Sequence, residues 1–452
     1  EMSRGLGDVY KRQKLDFVIL ILINQRMKMK SVYCYMLAGL MLSASSCSSW
    51  LSEDDAPVMS YDYYETEAGV NAAITAAYGF LRWGVGGERF DVLTELGTDL
   101  FTEGEDGSNR ESYNKYATQL NPDDGILYEM WENHYKGISD ANIAMQKIRD
   151  SQDLLESVKI QSYAEMQFIR AYLYFDLVQQ FGRIPLVTEG SFEIRTDFKR
   201  APIADVYNVI ISDLRNAAEN LPEKASVLGR ATRYSAAHLL AKVYLTRGSA
   251  VKDARGQKAT DMDSTLYYAE QVINSGAYAL QENFSSLWDI KNQGNSEAVF
   301  AVQFTTEPMF NGDGNKQHLY WLSWYEDQPG MLRDIENGRP YRRHVATKKT
   351  MDDLFDRLHD SRFYKSFKWV YYANNVSTLP VWESLSYDGN VYFTPDPSKG
   401  QIEGELKFQH GDTAIYYTMQ ETGLASNSDE MRKLRACLLY TSPSPRDISG
   451  SR

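Results

Sequence analysis

Cysteine is nearly absent from this sequence of 452 residues, which contains only Cys34, Cys47 and Cys437. Cys34 falls in an apolar leader segment, and Cys437 begins a tail rich in serine and proline. The long stretch between Cys47 and Cys437 has no cysteine at all, so a disulfide framework is excluded there. We expect the fold to be held by burial of a hydrophobic core, and this stretch is long enough to form one.

Histidine is also scarce, and its six positions are scattered without the spacing of a metal-binding motif. The sequence has no G-x-S-x-G elbow, P-loop or dinucleotide-binding glycine motif. The stretch 311–315, NGDGN, only loosely resembles a calcium loop, because it lacks the closing bidentate glutamate. We therefore expect no cofactor, no bound metal and no catalytic residues. A pair of carboxylates for glycoside hydrolysis is not excluded, because the sequence does not show the distance between two such groups.

An excess of basic residues is missing as well. The formal net charge is −13 and the sequence pI is near 5.1, which argues against nucleic acid as a partner. Long apolar runs are equally absent. The run from Phe17 to Ile23 is far shorter than the roughly 20 residues that a membrane-spanning helix needs.

The two ends of the chain differ in amino-acid sequence but can be encoded by opposite strands of one DNA segment. A DNA sequence that encodes SRGLGDVYKRQ, at 3–13, encodes CLLYTSPSPR when its reverse complement is read one base out of frame. This stretch of CLLYTSPSPR begins at Cys437. One library adaptor read on opposite strands explains both, so we expect 437–452 to be an adaptor-derived tail. Residues 1–26 are expected to be non-native or upstream translation.

A lipoprotein signal peptide is predicted at 27–46. The start is Met27 or Met29, followed by the positive residues Lys28 and Lys30 and a short apolar stretch to Leu42. Small residues then lead directly into Cys47, as in a lipobox. We expect Cys47 to be the acylated residue of the mature protein, and 47–65 to be a polar tether. An ordinary signal peptide with an incidental cysteine is the alternative.

The body of the chain opens with a region that is predicted to be mostly helical, 66–277. Apolar residues recur at helical spacing in six segments, several with matching cap or stop residues such as Thr66, Gly182 and Pro222. Small residues face large ones in successive helices, which is typical of a tetratricopeptide-like scaffold of helical pairs. A generic helical bundle is the alternative. The predicted helices are Thr66–Trp83, Ile126–Ile148, Ile160–Phe181, Pro202–Leu221, Arg230–Thr246 and Ser264–Asn274.

From Tyr278 onwards the helical spacing of apolar residues is lost, and 278–436 is predicted to be an irregular α+β second lobe. Glu297–Phe304 alternates apolar and polar residues and is predicted to be a strand. Phe367–Tyr372 and Asn390–Phe393 are two further possible short strands. Long loops rich in tryptophan, tyrosine, glycine and asparagine lie between them.

Several motifs in one order resemble the SusD/RagB family of nutrient-binding outer-membrane lipoproteins. The most specific is AEMQFIRAYLYFDLVQQFGRIPLV at 164–187, and MWENHYKGISDANIAMQKI at 130–148 is similar to a second family motif. GRATRYSAAHLLAKVYLTRG at 229–248 and NSEAVFAVQF at 295–304 follow in the expected order. The family's closing segment, with its proline-rich turns, is not found before the tail. This departure puts part of the second lobe in doubt.

The resemblance implies a lipid-anchored protein of the cell outer membrane that faces the exterior. It implies a SusC-like TonB-dependent transporter as partner and a glycan as ligand, which is bound without chemistry. Binding of peptides, as in the RagB branch, is the first alternative, and an exported glycosidase is the second.

Aromatic residues in loops are the candidate ligand contacts. A sugar ring has apolar C–H faces that a flat indole or phenol buries, and a polar rim that charged and amide groups can bind. The run 318–327, HLYWLSWYED, is predicted to form a loop or single turn that presents such rings on one platform. Trp83 is a second candidate, in a glycine-rich turn after the first helix. The candidates are Trp83, Tyr320, Trp321, Trp324, Tyr325 and Asp327; for each aromatic the alternative is a place in the core.

Overall fold

The computed structural model describes residues 66–416, apart from 105–109, 117–119, 192–194, 252–254, 357–358 and the single residues 306, 313, 323, 348, 369 and 388. Chain contacts divide the molecule into Glu1–Tyr63 and Tyr64–Arg452, and every described residue lies in the second unit. The predictions for the signal peptide, Cys47, the tether and the adaptor-derived tail therefore fall outside the described residues.

Long helices dominate the first part of the described chain, as predicted. Each begins near the cap residue that the sequence offers: the Thr66 side chain accepts a hydrogen bond from the Gly69 amide, and Asp124 accepts one from Ile126. Gly182 follows the fifth helix with a φ of 67°, a conformation that favours glycine. The helices are α1 Glu67–Gly86, α2 Glu88–Thr94, α3 Glu111–Lys115, α4 Gly125–Asp150, α5 Glu156–Phe181, α6 Ile203–Asn220, α7 Arg233–Gly248 and α8 Asp261–Ile273.

Consecutive helices pack against each other from α4 to α8, and α1 packs on α4 and α5. Helix α5 is the centre of this region, with Phe168, Tyr174 and Leu177 almost fully buried. Burying an aromatic or leucine side chain of this kind stabilises the fold by about 1.5–3 kcal/mol. Gly137 of α4 permits close packing of α4 on α5 and α1, because a Cβ at this position would collide with Leu173 and Phe80. The fold class is thus the predicted mostly α, tetratricopeptide-like scaffold of helical pairs.

Short elements and long loops make up the rest of the described chain. The strands pair in three antiparallel two-stranded ladders, β1 with β2, β3 with β6, and β4 with β5. Tyr325, Met331, Tyr371 and Phe408 share a small separate core. The strands are β1 Phe101–Glu103, β2 His344–Ala346, β3 Val370–Tyr372, β4 Leu385–Tyr387, β5 Asn390–Phe393 and β6 Thr413–Tyr416.

Single helical turns complete this part: α9 Phe284–Leu287, α10 Pro308–Asn311, α11 Gln317–Tyr320 and α12 Arg362–Ser366. A five-residue π-helical turn spans Lys349–Asp353. Three 3₁₀ turns lie at Ile290–Asn292, Val376–Thr378 and Pro397–Lys399. In the part of the chain that the structure describes, no helix is both long and apolar enough to cross a membrane.

The predicted strand Glu297–Phe304 is wrong. This segment starts in a turn, has no regular secondary structure after it, and pairs with no neighbouring strand among the described residues. Side chains of the helices bind its carbonyl groups instead: the Ser235 hydroxyl donates to Val299 O and the Arg82 guanidinium donates to Gln303 O. Phe300 packs on the helical core, 5.2 Å from the Phe168 ring. The alternating pattern therefore reflects contact with helices, not a sheet.

Of the two other strand predictions, one is confirmed in part and one in full. Val370–Tyr372 forms the end of the predicted Phe367–Tyr372 strand and pairs with β6. Asn390–Phe393 has the predicted bounds and pairs with β4. Strand β1 lies inside the predicted helical region and pairs with β2 of the predicted second lobe. The boundary near residue 278 stays a prediction.

Candidate functional site

A cavity of about 600 Å³ lies where the end of α1 and the start of α2 meet the segment 304–320. We call it the Trp83 cavity. Its wall combines aromatic rings, charged side chains and glycine backbone, which is the mixture expected of a small-molecule site. The lining residues used below are Arg82, Trp83, Gly86, Glu88, Arg89, Glu129, Phe304, Lys316 and Tyr320.

Trp83 is the large flat side chain of this cavity. It lies inside the last turn of α1 rather than in a turn after the helix, because α1 continues to Gly86. Its half-buried ring meets the edges of Phe90 and His134, with centroids 6.1 and 5.6 Å away. His134 is itself fixed, since its ring nitrogens contact Met130 O and an Asp176 carboxylate oxygen. The indole orientation is thus set by packing on α2 and α4.

Gly86 brings the two walls of the cavity together. A Cβ at this position would collide with the Phe304 ring, so a larger residue would push the segment 304–320 away from α1. The carbonyl of Gly86 accepts a hydrogen bond from the Lys316 amide at 3.3 Å. The neighbouring Gly87 carbonyl accepts one from the Gln317 side chain at 3.5 Å. Backbone groups at the end of α1 therefore bind the opposite wall.

Charged side chains surround the ring of Trp83. Arg89 forms an ion pair with Glu129 at 3.2 Å, and about two fifths of each side chain is exposed. Arg82 donates to Gln303 O and lies over the Phe304 ring, 5.5 Å from its centroid. These groups supply hydrogen-bond donors and acceptors beside an apolar surface.

Glu88 is the most strongly engaged carboxylate of the wall. Arg110 approaches it with two guanidinium nitrogens, at 2.8 and 2.9 Å. The Arg343 Nε lies 3.6 Å from the same carboxylate. A carboxylate that faces two guanidinium groups is held by charge-assisted contacts. It ties α2 to the segment before β2.

Asp91 and His344 are buried next to this group, with the His344 Nε2 3.6 Å from an Asp91 carboxylate oxygen. Burial raises the pKa of Asp91 to about 6 and lowers the pKa of His344 to about 4. His344 is accordingly neutral at pH 7, while most of Asp91 is ionised. His344 is fully buried, so this pair supports the site from beneath and does not line the cavity.

Two of the residues predicted from sequence, Trp83 and Tyr320, line this cavity together. Tyr320 ends the helical turn α11, which agrees with the predicted single turn, but only 9% of its surface is exposed. Trp321 packs against the rings of Phe101 and His344, at 4.7 and 4.9 Å, and donates its Nε1–H to the Gln317 side chain. These contacts cover part of the Trp321 ring and help to hold the site in place.

Trp324 and Asp327 contact each other: the indole Nε1–H donates to an Asp327 carboxylate oxygen at 2.8 Å. The Arg342 guanidinium lies over the Trp324 ring, 4.9 Å from its centroid. This arrangement covers part of the indole and uses one of the Asp327 oxygens. Both residues stay candidates, at a position apart from the lining of the Trp83 cavity.

Tyr325 does not lie on a ligand platform. It is fully buried, stacks on Tyr371 at 4.9 Å and donates its hydroxyl hydrogen to Gly338 O. A ring enclosed in this way has no face to offer a ligand, so the prediction for Tyr325 is corrected to a core residue. Tyr325 is therefore not part of the predicted platform, and a platform formed by Trp321 and Trp324 stays a prediction.

The sequence reasoning did not find the charged lining of the Trp83 cavity. Arg82, Glu88 and Arg89 lie close to Trp83 in the sequence, so they could have been recognised as neighbours of the ring. Lys316 could not be recognised in this way, because it is more than 200 positions from Trp83.

A second cavity was also missed. It has a volume of about 510 Å³ and is lined mainly by apolar side chains, among them Trp131, Tyr135, Val187 and Phe198. Trp131 and Tyr135 lie on α4, are only partly buried and pack against the helical core. We call this space the Trp131 cavity.

Comparisons with known proteins define the class of fold first. A structure described as a laminarin-binding SusD-like protein superposes with a TM-score of 0.54 at 24% identity, over 68% of this chain and 66% of that chain. At this identity the likeness shows a shared fold. The fold is therefore shared with a SusD-like protein over about two thirds of each chain.

The sequence comparisons agree with this fold. The SusD-like family model described as "Starch-binding associating with outer membrane" matches residues 58–245. A SusD-like protein of Formosa agariphila is 24% identical over 436 residues, which cover 88% of this chain and 77% of the relative. A second SusD-like protein of the same organism is 27% identical over 341 residues, which cover 69% of this chain and 63% of the relative. Over residues 58–245 the chain is thus similar in sequence to SusD-like proteins, and it shares their fold.

Proposed function

We propose that this protein binds a glycan in the Trp83 cavity, without catalysis, and passes it to a SusC-like TonB-dependent transporter. The observation that carries the proposal is the half-buried Trp83 ring in a cavity of about 600 Å³. Support comes from the family description, which refers to starch, and from the structural neighbour, which is described as laminarin-binding.

The chemistry of the cavity suits a sugar. A pyranose ring places its C–H groups on an aromatic face, which excludes water, while its hydroxyls exchange hydrogen bonds with the surrounding polar groups. Arg89 and Glu129 lie on the same wall as Trp83, and their ion pair is partly exposed. Such an exposed pair contributes little to stability, so hydroxyls can share its donors and acceptors at small cost.

The absence of catalysis is part of the proposal. Glycoside hydrolysis needs one carboxylic acid with a raised pKa and a second carboxylate across the scissile bond. Both carboxylates of the cavity wall are instead engaged in ion pairs, Glu88 with Arg110 and Glu129 with Arg89. Each therefore faces a guanidinium group rather than standing ready for a glycosidic oxygen.

The experiment is a calorimetric screen of the purified protein against neutral and charged polysaccharides, starch and laminarin among them, and against mixed peptides. We expect saturable binding to at least one polysaccharide, with no new reducing ends after prolonged incubation. Binding to peptides alone would replace this proposal by the RagB-like alternative. Turnover that one Asp or Glu substitution abolishes would replace it by the exported glycosidase.

We also propose that the protein is attached to the outside of the outer membrane through acylated Cys47. The support is the run of small residues that ends at Cys47 after a charged and apolar leader. Several acyl chains on one cysteine give a firm anchor, at about 0.8 kcal/mol for each buried methylene.

Cys47→Ala is expected to move the protein from the membrane fraction to the soluble fraction, or to leave its signal peptide uncleaved. Cell fractionation followed by intact-mass analysis measures both effects, and Cys34→Ala is the matched control that should change neither. Normal processing and full membrane retention of Cys47→Ala would contradict the anchor.

A further inference from the structure

We infer that the ligand of the Trp83 cavity carries an anionic group, a carboxylate or a sulfate, and that Lys316 binds it. This inference rests on the proposed glycan-binding function and names the class of glycan. It follows from the ionic partners of the charged side chains that line the cavity.

The first step concerns the two carboxylates of the wall. Glu88 is held by Arg110 and lies near Arg343, and Glu129 pairs with Arg89 at 3.2 Å. Their negative charge is therefore already balanced by guanidinium groups. Neither carboxylate is left to attract a cation from the ligand or to neutralise a further basic side chain.

The second step concerns Lys316, which lines the cavity on the wall opposite α1. Its side chain is half-buried, and its backbone amide is bound to Gly86 O, which fixes where the side chain begins. Within the part of the chain that the structure describes, no carboxylate lies within ion-pair distance of the Lys316 ammonium. Lys316 thus gives the cavity wall a cation whose counter-charge the described residues do not supply.

The third step compares two kinds of ligand. A neutral sugar would offer Lys316 only hydroxyl dipoles, and the ammonium would keep its full charge in a partly enclosed space. A sugar with a carboxylate or sulfate would form a charge-assisted hydrogen bond, which is roughly twice as strong as a neutral one. The whole chain carries a formal net charge of −13, so a local cation is also what an anionic ligand needs in order to approach.

The test uses pairs of ligands that differ only in charge. Oligogalacturonides are compared with their methyl esters, in which the carboxylate charge is lost. Laminarin sulfate is compared with laminarin, which has no sulfate. We expect at least one anionic ligand to bind about tenfold more tightly than its neutral partner, as one charge-assisted contact implies. The two pairs also tell carboxylate from sulfate.

Lys316→Met, which keeps the length of the side chain without its charge, is expected to bring that ratio close to one, mainly by weakening the anionic ligand. Lys316→Glu should make the anionic ligand the weaker of the two. Lys399→Met removes an exposed lysine outside the cavity and is the control that should leave the ratio unchanged. Thermal melts establish that each variant is folded.

Each outcome bears on one claim. Equal binding of charged and neutral glycans by the wild type, or a preference that survives Lys316→Met, overturns the anionic ligand but leaves the glycan site intact. Binding of no polysaccharide at all, charged or neutral, overturns the proposed function and the inference with it.

Discussion

Asp213→Ala is expected to lower the free energy of unfolding by about 3–5 kcal/mol, the usual effect of removing one partner of a buried ion pair. Asp213 on α6 receives two hydrogen bonds from Arg170 on α5, both 2.8 Å long, and a third from Gln167. Arg170 also donates to Asn142 on α4. Only 6% of Arg170 and 2% of Asp213 are exposed. The substitution would therefore leave a guanidinium buried at the junction of three helices.

Urea unfolding followed by circular dichroism measures this loss. Asp197→Ala is the matched control, because it breaks an arginine–aspartate pair whose side chains are largely exposed. The control should unfold at the wild-type urea concentration, since water screens such pairs. An unchanged midpoint for Asp213→Ala would mean that the three helices do not depend on this pair.

Trp83→Ala is expected to weaken glycan binding at least tenfold. Loss of the indole removes the apolar surface against which a sugar ring packs, and stacking on one ring is worth on the order of 1 kcal/mol beyond the area that is buried. The lost area adds to this, and each 1.4 kcal/mol is about a factor of ten in the dissociation constant. Calorimetric titration with the best ligand of the screen gives the dissociation constants directly.

Two further variants make the Trp83 result interpretable. Trp288→Ala is the control, because that tryptophan is 71% exposed and lies outside the cavity, so binding should be unchanged. Trp83→Phe keeps an aromatic ring against Phe90 and His134, and should bind with intermediate affinity even if the alanine variant folds poorly. A folded Trp83→Ala protein that binds normally would exclude the Trp83 cavity and make the Trp131 cavity the next candidate.

The sequence predicted the long helices well because each carries its own periodicity and its own stop signals. Helix α5, for example, ends at Phe181, where Gly182 adopts a left-handed backbone conformation. The strand prediction for Glu297–Phe304 was wrong because an irregular segment that packs one side on helices can alternate apolar and polar residues as a strand does. The pattern shows that one side is buried, but not what covers it.

The candidate site was only partly predictable for a related reason. Aromatic composition singled out Trp83 and Tyr325 alike, yet one lines a cavity and the other lies in a core. What separates them is long-range packing, such as the stacking of Tyr325 on Tyr371. The lack of a carboxylate beside Lys316 among the described residues depends in the same way on which distant residues surround it.

The most direct test of the glycan site is ¹⁹F NMR of protein that contains 5-fluorotryptophan, titrated with the best glycan of the screen. Single Trp→Phe variants assign the signals of Trp83, Trp131, Trp288 and Trp324. We predict that the Trp83 signal shifts and saturates at the dissociation constant measured by calorimetry, while the exposed Trp288 signal stays in place. A stationary Trp83 signal, with a saturable shift at Trp131 or Trp324 instead, would contradict binding in the Trp83 cavity.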